Sequence, residues 1–262
     1  MRPQWLLDLD EEFPGSALVA AALDDALIVR PRDAMTGHWP VIQDGRPIVG
    51  YGTMPTMRSL RRVPRLGEAV FDDYTMLRCS FYYRHIYDLP GRTAIFVPFS
   101  AVPGLPLRRM FASDQVFLRS DTNYKLFPAG VHAITELGHW LDIYDQYRDE
   151  LVVVSEVVSF ETEYRCFCRD GGFVCGSSYP AEPYLPVPDH VRGFAETAAR
   201  RLLDHGCTMV TVDVGIDTTG ALRLVELGGV NSWGIYGSDV TAFITAMEAE
   251  ALARADMLRP GQ

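Results

Sequence analysis

Two apolar runs late in the chain, Met209-Val210-Thr211-Val212-Asp213 and Ala221-Leu222-Arg223-Leu224-Val225-Glu226, are joined through Thr219-Gly220. A glycine-containing connection between two such runs reads as a β-hairpin. With Thr219 and Gly220 as a two-residue loop, Thr218 pairs with Ala221, and counting outward sets Asp213 opposite Glu226. Directly opposed residues hold their Cβ atoms about 4.5–5.5 Å apart on one face, where two carboxylates repel. A divalent cation relieves that repulsion, and oxygen ligands suit magnesium or calcium. Asn231, a few residues on, offers the same ion a neutral oxygen. Two plainer readings stay open: a solvated hairpin face with both acids in water, and a three-residue turn that shifts the register. Val210, Val212, Leu222 and Leu224 lay the hairpin against a core.

A second cluster is basic. Gln115-Val116-Phe117-Leu118 reads as a strand delivering Arg119 to its end, and Lys125 opens the loop Lys125-Leu126-Phe127-Pro128-Ala129-Gly130. Further on, period-two alternation puts Glu163 and Arg165 on one face of a strand. Arginine presents a planar fork to phosphate oxygens, lysine a point charge, and glycine lets backbone approach a ligand. Taken singly, each is as well explained as a surface cation. Opposed acids together with a basic cluster match the needs of a magnesium nucleotide. No Gly-x-x-x-x-Gly-Lys-Ser/Thr loop, Gly-x-Gly-x-x-Gly fingerprint or Gly-x-Ser-x-Gly elbow occurs, so the phosphates must be gripped by side chains on sheets.

The remaining composition narrows the class. The 262 residues provide one large domain or two small ones, enough to fold without disulfide or structural metal. Acids outnumber bases by 34 to 24, a net charge of -10, which argues against nucleic acid as a partner. The five cysteines are odd in number and lack Cys-x-x-Cys spacing, as expected of buried thiols in a reducing cytoplasm. Neither a signal-peptide core nor a membrane-spanning run is present, so no membrane partner is expected. His132 and His139 read as structural or surface residues, and Cys166 and Cys168 as packing. Arg58, Arg61, Arg62 and Arg65 suit a solvated loop or an acidic substrate. Tyr82, Tyr83 and His85 suit packing or a pocket wall.

Predicted elements include a helix over Ser16–Leu23 and strands at Leu27–Val29, Pro47–Tyr51, Thr93–Val97 and Leu151–Val154. Further helices are predicted over Val131–Trp140, over Asp189–His205 with Asp189 as N-cap, and from near Ser238 as N-cap, carrying Phe243, Ile244, Met247 and Leu252. Pro98, Pro103, Gly104 and Pro106 suggest a boundary, giving a small α/β domain over 1–98 and a larger α+β domain over 99–262.

The ordered stretches Val116-Phe117-Leu118-Arg119, Lys125-x-Phe127-x-x-Gly130, Glu163-Tyr164-Arg165, Gly176-Ser177-Ser178-Tyr179, Val212-Asp213-Val214, Val225-Glu226-Leu227 and Asn231-Ser232-x-Gly234-Ile235-Tyr236 resemble the ATP-grasp superfamily. Specifically, they resemble its clade named for two conserved arginines and a lysine. The resemblance implies two α+β subdomains clasping ATP, preceded by a small α/β domain. It implies a ligase that phosphorylates a carboxylate and lets an amine attack the acyl phosphate, with small-molecule or peptide substrates. By that analogy Asp213, Glu226 and Asn231 hold Mg2+. Lys125 and Arg119 contact phosphates, and Arg165 meets the transferred phosphoryl group or the acyl phosphate, which makes Arg165 and Lys125 the catalytic pair. Glu156-Val157-Val158 is the hinge reading adenine, and Glu163 lies near ribose or substrate. One departure stands out: Gly228 occupies the place where many ATP-grasp enzymes carry asparagine. A non-catalytic nucleotide-binding module and a phosphoryl transferase on the same fold are the alternatives.

Overall fold

Gln4-Trp5-Leu6-Leu7-Asp8 is buried along its whole length, the condition of a central parallel strand covered on both faces. The computed structural model describes residues 2–11, 13–30, 36–42, 45–72 and 75–258. Strand β1 (Gln4–Asp8) is flanked in parallel by β2 (Leu27–Val29) and β3 (Ile48–Tyr51). Helix α1 (Gly15–Ala21) follows β1, and α2 (Met54–Arg61) follows β3.

The chain divides into two compact units: Met1–Asp73 with Thr162–Val214 and Glu226–Gln262, and Tyr74–Glu161 with Gly215–Val225. These are not the expected 1–98 and 99–262. Strand β4 (Ala94–Pro98) pairs antiparallel with β7 (Leu151–Ser155) up to Pro98 itself, so residue 98 lies in a sheet. The proline cluster is no linker. It forms a 3-10 segment, Phe99–Gly104, whose Phe99 and Val102 enter the core of the second unit. In the first unit, Trp5, Val49 and Tyr51 share one core with Phe167, Met209, Trp233 and Phe243. That shared core is why the first 73 residues group with distant segments of the chain.

The second unit carries α3 (Cys79–Ile86), α4 (Leu107–Phe111) and the antiparallel sheet β4-β7-β5-β6, with β5 at Gln115–Ser120 and β6 at Gly130–Ala133. Tyr82 of α3 is buried and packs on the Tyr83 ring. The helix expected over Val131–Trp140 instead splits into β6, a 3-10 turn at Ile134–Glu136, and α5 (Leu137–Ile143). Pairing decides it: Val116 faces His132 and Phe117 faces Val131, so the edge of β5 captures the start of the segment. His132 is buried with its ring 4.2 Å from that of Trp140, and burial lowers its pKa.

The first unit also holds β8 (Phe160–Arg169), β9 (Gly172–Tyr179), β10 (Met209–Asp217) and β11 (Leu222–Gly228), in the order β11-β10-β8-β9; the segments 160–161 and 215–225 count with the second unit. Helix α6 (Asp189–Leu203) begins at Asp189, with Pro188 as its N-cap, and Gly206 beyond its end has φ +88°. Helix α7 (Val240–Leu258) is capped by Asp239, not by Ser238: the Asp239 Oδ1 accepts the N–H groups of Thr241 and Ala242 at 2.9 and 3.0 Å.

Candidate functional site

Strand register builds the site in the first unit. Along β8 and β9, Glu163 pairs with Tyr179 and Arg165 with Ser177, while β10 lies on the other side of β8. Arg165 donates from Nε and Nη2 to Asp213 Oδ1 and Oδ2, at 2.9 and 2.7 Å. Arg165 is 6% exposed and Asp213 1%, so this bidentate pair is shielded from water. The Tyr179 hydroxyl stands 3.0 Å from both Asp213 Oδ2 and Glu163 Oε2. Its single proton serves one carboxylate at a time, which couples the two acids.

Three rings surround the guanidinium: Trp233 at 4.5 Å, Tyr179 at 4.6 Å and Tyr236 at 5.1 Å from ring centroid to Cζ. Tyr236 holds φ +45°, and its ring stacks on Tyr179 at 5.4 Å. Burial alone would lower the Arg165 pKa, but the facing Asp213 carboxylate outweighs it, and the net shift is upward. Burial first, then the charges of Asp213 and Glu163, push the Tyr179 hydroxyl well above the usual phenol range. At neutral pH the cluster therefore holds a permanent cation and a protonated phenol.

The hairpin takes the three-residue turn. Asp217 N–H donates to Ala221 O at 3.0 Å and Gly220 N–H to Asp217 O at 2.8 Å, with Gly220 at φ +82°. Asp217 thus opposes Ala221, and Thr218, Thr219 and Gly220 form the loop. The cause is the Asp217 side chain, whose Oδ1 accepts the N–H groups of Thr219 and Ala221 and the Thr219 hydroxyl. Those bonds, with Arg223 on Oδ2, hold the Asp217 carboxyl below the ordinary range.

Asn231 also departs from expectation. It is fully buried; its Oδ1 accepts Phe71 N–H at 2.7 Å, and its Nδ2 donates to Gly50 O and Ala69 O at 2.6 and 2.9 Å. Its carboxamide braces the loop after β11 against residues 50–71 instead of presenting an oxygen to a cation. Glu226 is half-buried on β11. Among the described residues, no group of three or more His, Cys, Asp or Glu side chains could hold a metal. Magnesium needs fewer protein ligands: one or two carboxylates, with phosphates and water completing the shell. The carboxylates expected to supply them are Asp213, bonded to Arg165, and Glu226 on β11.

The second unit carries the other predicted residues. Arg119, near the end of β5, is 7% exposed and donates from Nε to Ser120 O at 3.3 Å. Lys125 is exposed at φ +48°, in the loop from β5 to β6. The base of that loop is anchored by Ser120 Oγ on Thr122 O and Asn123 Nδ2 on Leu77 O, and Phe127 stacks on Phe99 at 5.1 Å. Glu156 bonds Thr93, just before β4, through both backbone and carboxylate: its N–H donates to Thr93 O at 3.0 Å and its Oε2 accepts Thr93 N–H at 2.7 Å. Val157 is exposed and Val158 half-buried.

Sequence reasoning missed Trp233 as an element of the site. Its signal was Gly228: a Cβ at residue 228 would overlap the Trp233 ring. Glycine in place of asparagine makes room for the indole that stacks on Arg165.

The fold is that of the ATP-grasp proteins. D-cycloserine synthetase DcsG superposes with TM-score 0.59 at 12% identity, over 98% of this chain and 99% of that one. D-alanine–D-alanine ligase from Bacillus anthracis, complexed with ATP, gives 0.55 at 13% identity, over 98% and 99%. ATP-grasp ligase PsnB, complexed with minimal precursor, Mg and ADP, gives 0.57 at 13% identity, over 95% and 98%. The profile of the ATP-grasp domain, R2K clade family 2, matches residues 91–246, and the chain belongs to that family. No curated protein matches it in sequence.

Proposed function

We propose that this protein is an ATP-dependent ligase that joins a carboxylate to an amine through an acyl phosphate. Membership of the ATP-grasp family supports the nucleotide, and the ligases sharing the fold support the reaction class. The observation that carries the reading is the buried Arg165–Asp213 pair: a preformed cation and carboxylate held by Tyr179, Trp233 and Tyr236. In this reading Arg119 and Lys125 bind phosphates, and Glu156, Val157 and Val158 read adenine. Arg165 stabilises charge on the transferred phosphoryl group or the acyl phosphate. Asp213 and Glu226 would hold Mg2+, which neutralises phosphate charge and orients the nucleotide. Glu163 positions Tyr179 or meets ribose. Asn231 is assigned to the scaffold.

Five buried free cysteines fit a reducing, cytoplasmic setting, and no described helix is long and apolar enough to cross a membrane. Titration calorimetry tests the proposal. ATP should bind in the presence of magnesium, and Glu226→Ala should abolish the magnesium-dependent part. Unchanged affinity in that variant would remove the metal assignment. ADP release that requires both a carboxylate and an amine identifies a ligase. Nucleotide binding without release under any pairing favours a non-catalytic module, the reading to which the altered Gly228 position lends weight.

A further inference from the structure

The arginine-rich stretch Arg58, Arg61, Arg62 and Arg65 has no part in the nucleotide reading, yet the structure gives one of its members a cavity. Arg61 ends α2, and Gly67, Glu68 and Val70 follow it in the chain; together with Arg254 and Met257 of α7 they line a space of about 400 Å³. That volume is in the range of small-molecule sites. All six residues belong to the first unit, and none of them is a partner of Arg165.

Two guanidiniums hang here from consecutive carbonyls. Arg61 donates from Nη1 to Asp72 O, and Arg254 from Nη2 to Phe71 O at 3.1 Å. Arg254 is held further by its Nε on Glu250 Oε1 at 2.7 Å and by the Phe71 ring, whose centroid is 5.0 Å from its Cζ. A guanidinium carries five N–H donors and no acceptor, and these contacts fix the Arg254 fork without engaging its Nη1. Two guanidiniums against the single carboxylate of Glu68 leave the lining positive, in a chain whose net charge is -10. Buried Val70 and Met257, 73% exposed, supply the apolar part of the wall.

We infer that this cavity binds a small organic anion, its carboxylate or phosphate group between Arg61 and Arg254 and its apolar part against Val70 and Met257. Planar forks match the oxygens of both groups, and a fork already fixed by its neighbours loses little freedom when it takes a ligand. The apolar wall selects a compound with a hydrocarbon portion over a bare inorganic ion. Nothing in this inference rests on the ligase reading.

Titration calorimetry of the full chain with hexanoate, hexyl phosphate and the neutral hexanamide tests it. At least one of the two anions should bind with a Kd of about 1 mM or tighter, and hexanamide should not. The tighter of the two anions tells a carboxylate site from a phosphate site. Arg61→Gln should weaken anion binding by about tenfold or more, the worth of a charge-assisted hydrogen bond. Met257→Glu sets a like charge at the cavity from an exposed position; it should weaken the anion too while the melting temperature stays that of wild type. If Arg61→Gln melts lower because Asp72 O has lost its donor, Met257→Glu decides. Failure of both anions to bind overturns the inference, as does equal binding by hexanamide. Anion binding that Met257→Glu leaves unchanged lies elsewhere in the chain and overturns it equally. Magnesium and ATP are absent from these titrations, so the ligase reading stands or falls separately.

Discussion

Both guanidinium donors that Arg165 turns toward Asp213 find a carboxylate oxygen, at 2.9 and 2.7 Å, inside a cluster almost closed to water. Removing one member of a buried pair leaves an uncompensated charge, which costs roughly 3–5 kcal/mol. Arg165→Met and Asp213→Asn should each lower the unfolding free energy in urea by that order, and the double variant by less than the sum. The pair also bears on metal loading. A cation approaching Asp213 meets a guanidinium already there, so magnesium without nucleotide should give little heat on titration. Magnesium with ATP, whose phosphates offer Arg165 another partner, should give a strong signal.

Gly228 and Trp233 are tied by space. The indole occupies the volume that a side chain at residue 228 would need, and it stacks on Arg165 at 4.5 Å. Overpacking of this kind typically costs about 1–3 kcal/mol. Gly228→Ala should fall in that range by urea denaturation and shift the tryptophan emission, since Trp233 must move. An unchanged spectrum and midpoint would show that the ring is not confined.

Asn231 separates a brace from a ligand. Truncation to alanine strands Phe71 N–H and two carbonyls in the core, and each unsatisfied buried group costs about 1–3 kcal/mol. Asn231→Asp is the sharper test. Aspartate ligates metal at least as well, but it cannot donate to Gly50 O and Ala69 O. A brace predicts that Asn231→Asp destabilises the fold in chemical denaturation; a metal ligand predicts that it does not.

Lys125 should behave in the opposite way. It is exposed, and alanine inherits the same positive φ, so Lys125→Ala should change stability by less than about 0.5 kcal/mol. If the lysine grips phosphate, ATP affinity should fall by about tenfold, a loss of roughly 1.4 kcal/mol. Titration of the folded variant with magnesium and ATP reads this cleanly.

Local patterning made much of the fold legible. Alternation along β8 placed Glu163 and Arg165 on one face, and the apolar runs at Leu151 and Met209 became strands. Where tertiary partners decide, the sequence was silent. Nothing near Val131 announces that β5 will draw it into a sheet. The hairpin register turned on Asp217, whose side-chain bonds add a residue to the loop. Arg165 and Asp213 were both singled out, yet their pairing with each other was not, because strand order β10-β8 is a property of the whole sheet. The domain boundary failed for a similar reason: prolines mark irregular backbone, and here that backbone is packed core.

Asp72 offers a stability test with a defined pH window. Its carboxyl is 4% exposed, and its Oδ1 accepts Val230 N–H at 2.6 Å, in the loop that carries Asn231 and Trp233. Burial raises its pKa from 3.8 to about 6, against the opposing pull of the Val230 and Asn231 N–H groups and of Arg61 and Arg254. An acid whose pKa is higher folded than unfolded penalises the native state only when ionised. Below about pH 4 the carboxyl is neutral in both states, and its full contribution to stability is present. That contribution is lost as pH rises through about 6. A shift of about two units corresponds to about 3 kcal/mol. Asp72→Asn keeps an acceptor for Val230 N–H and carries no charge to bury. The variant should therefore exceed wild type in unfolding free energy at pH 7.5, by up to that amount, and converge with it below pH 4. A variant less stable than wild type at pH 7.5 would mean that the ionised Asp72 is held by its arginines more strongly than burial opposes it.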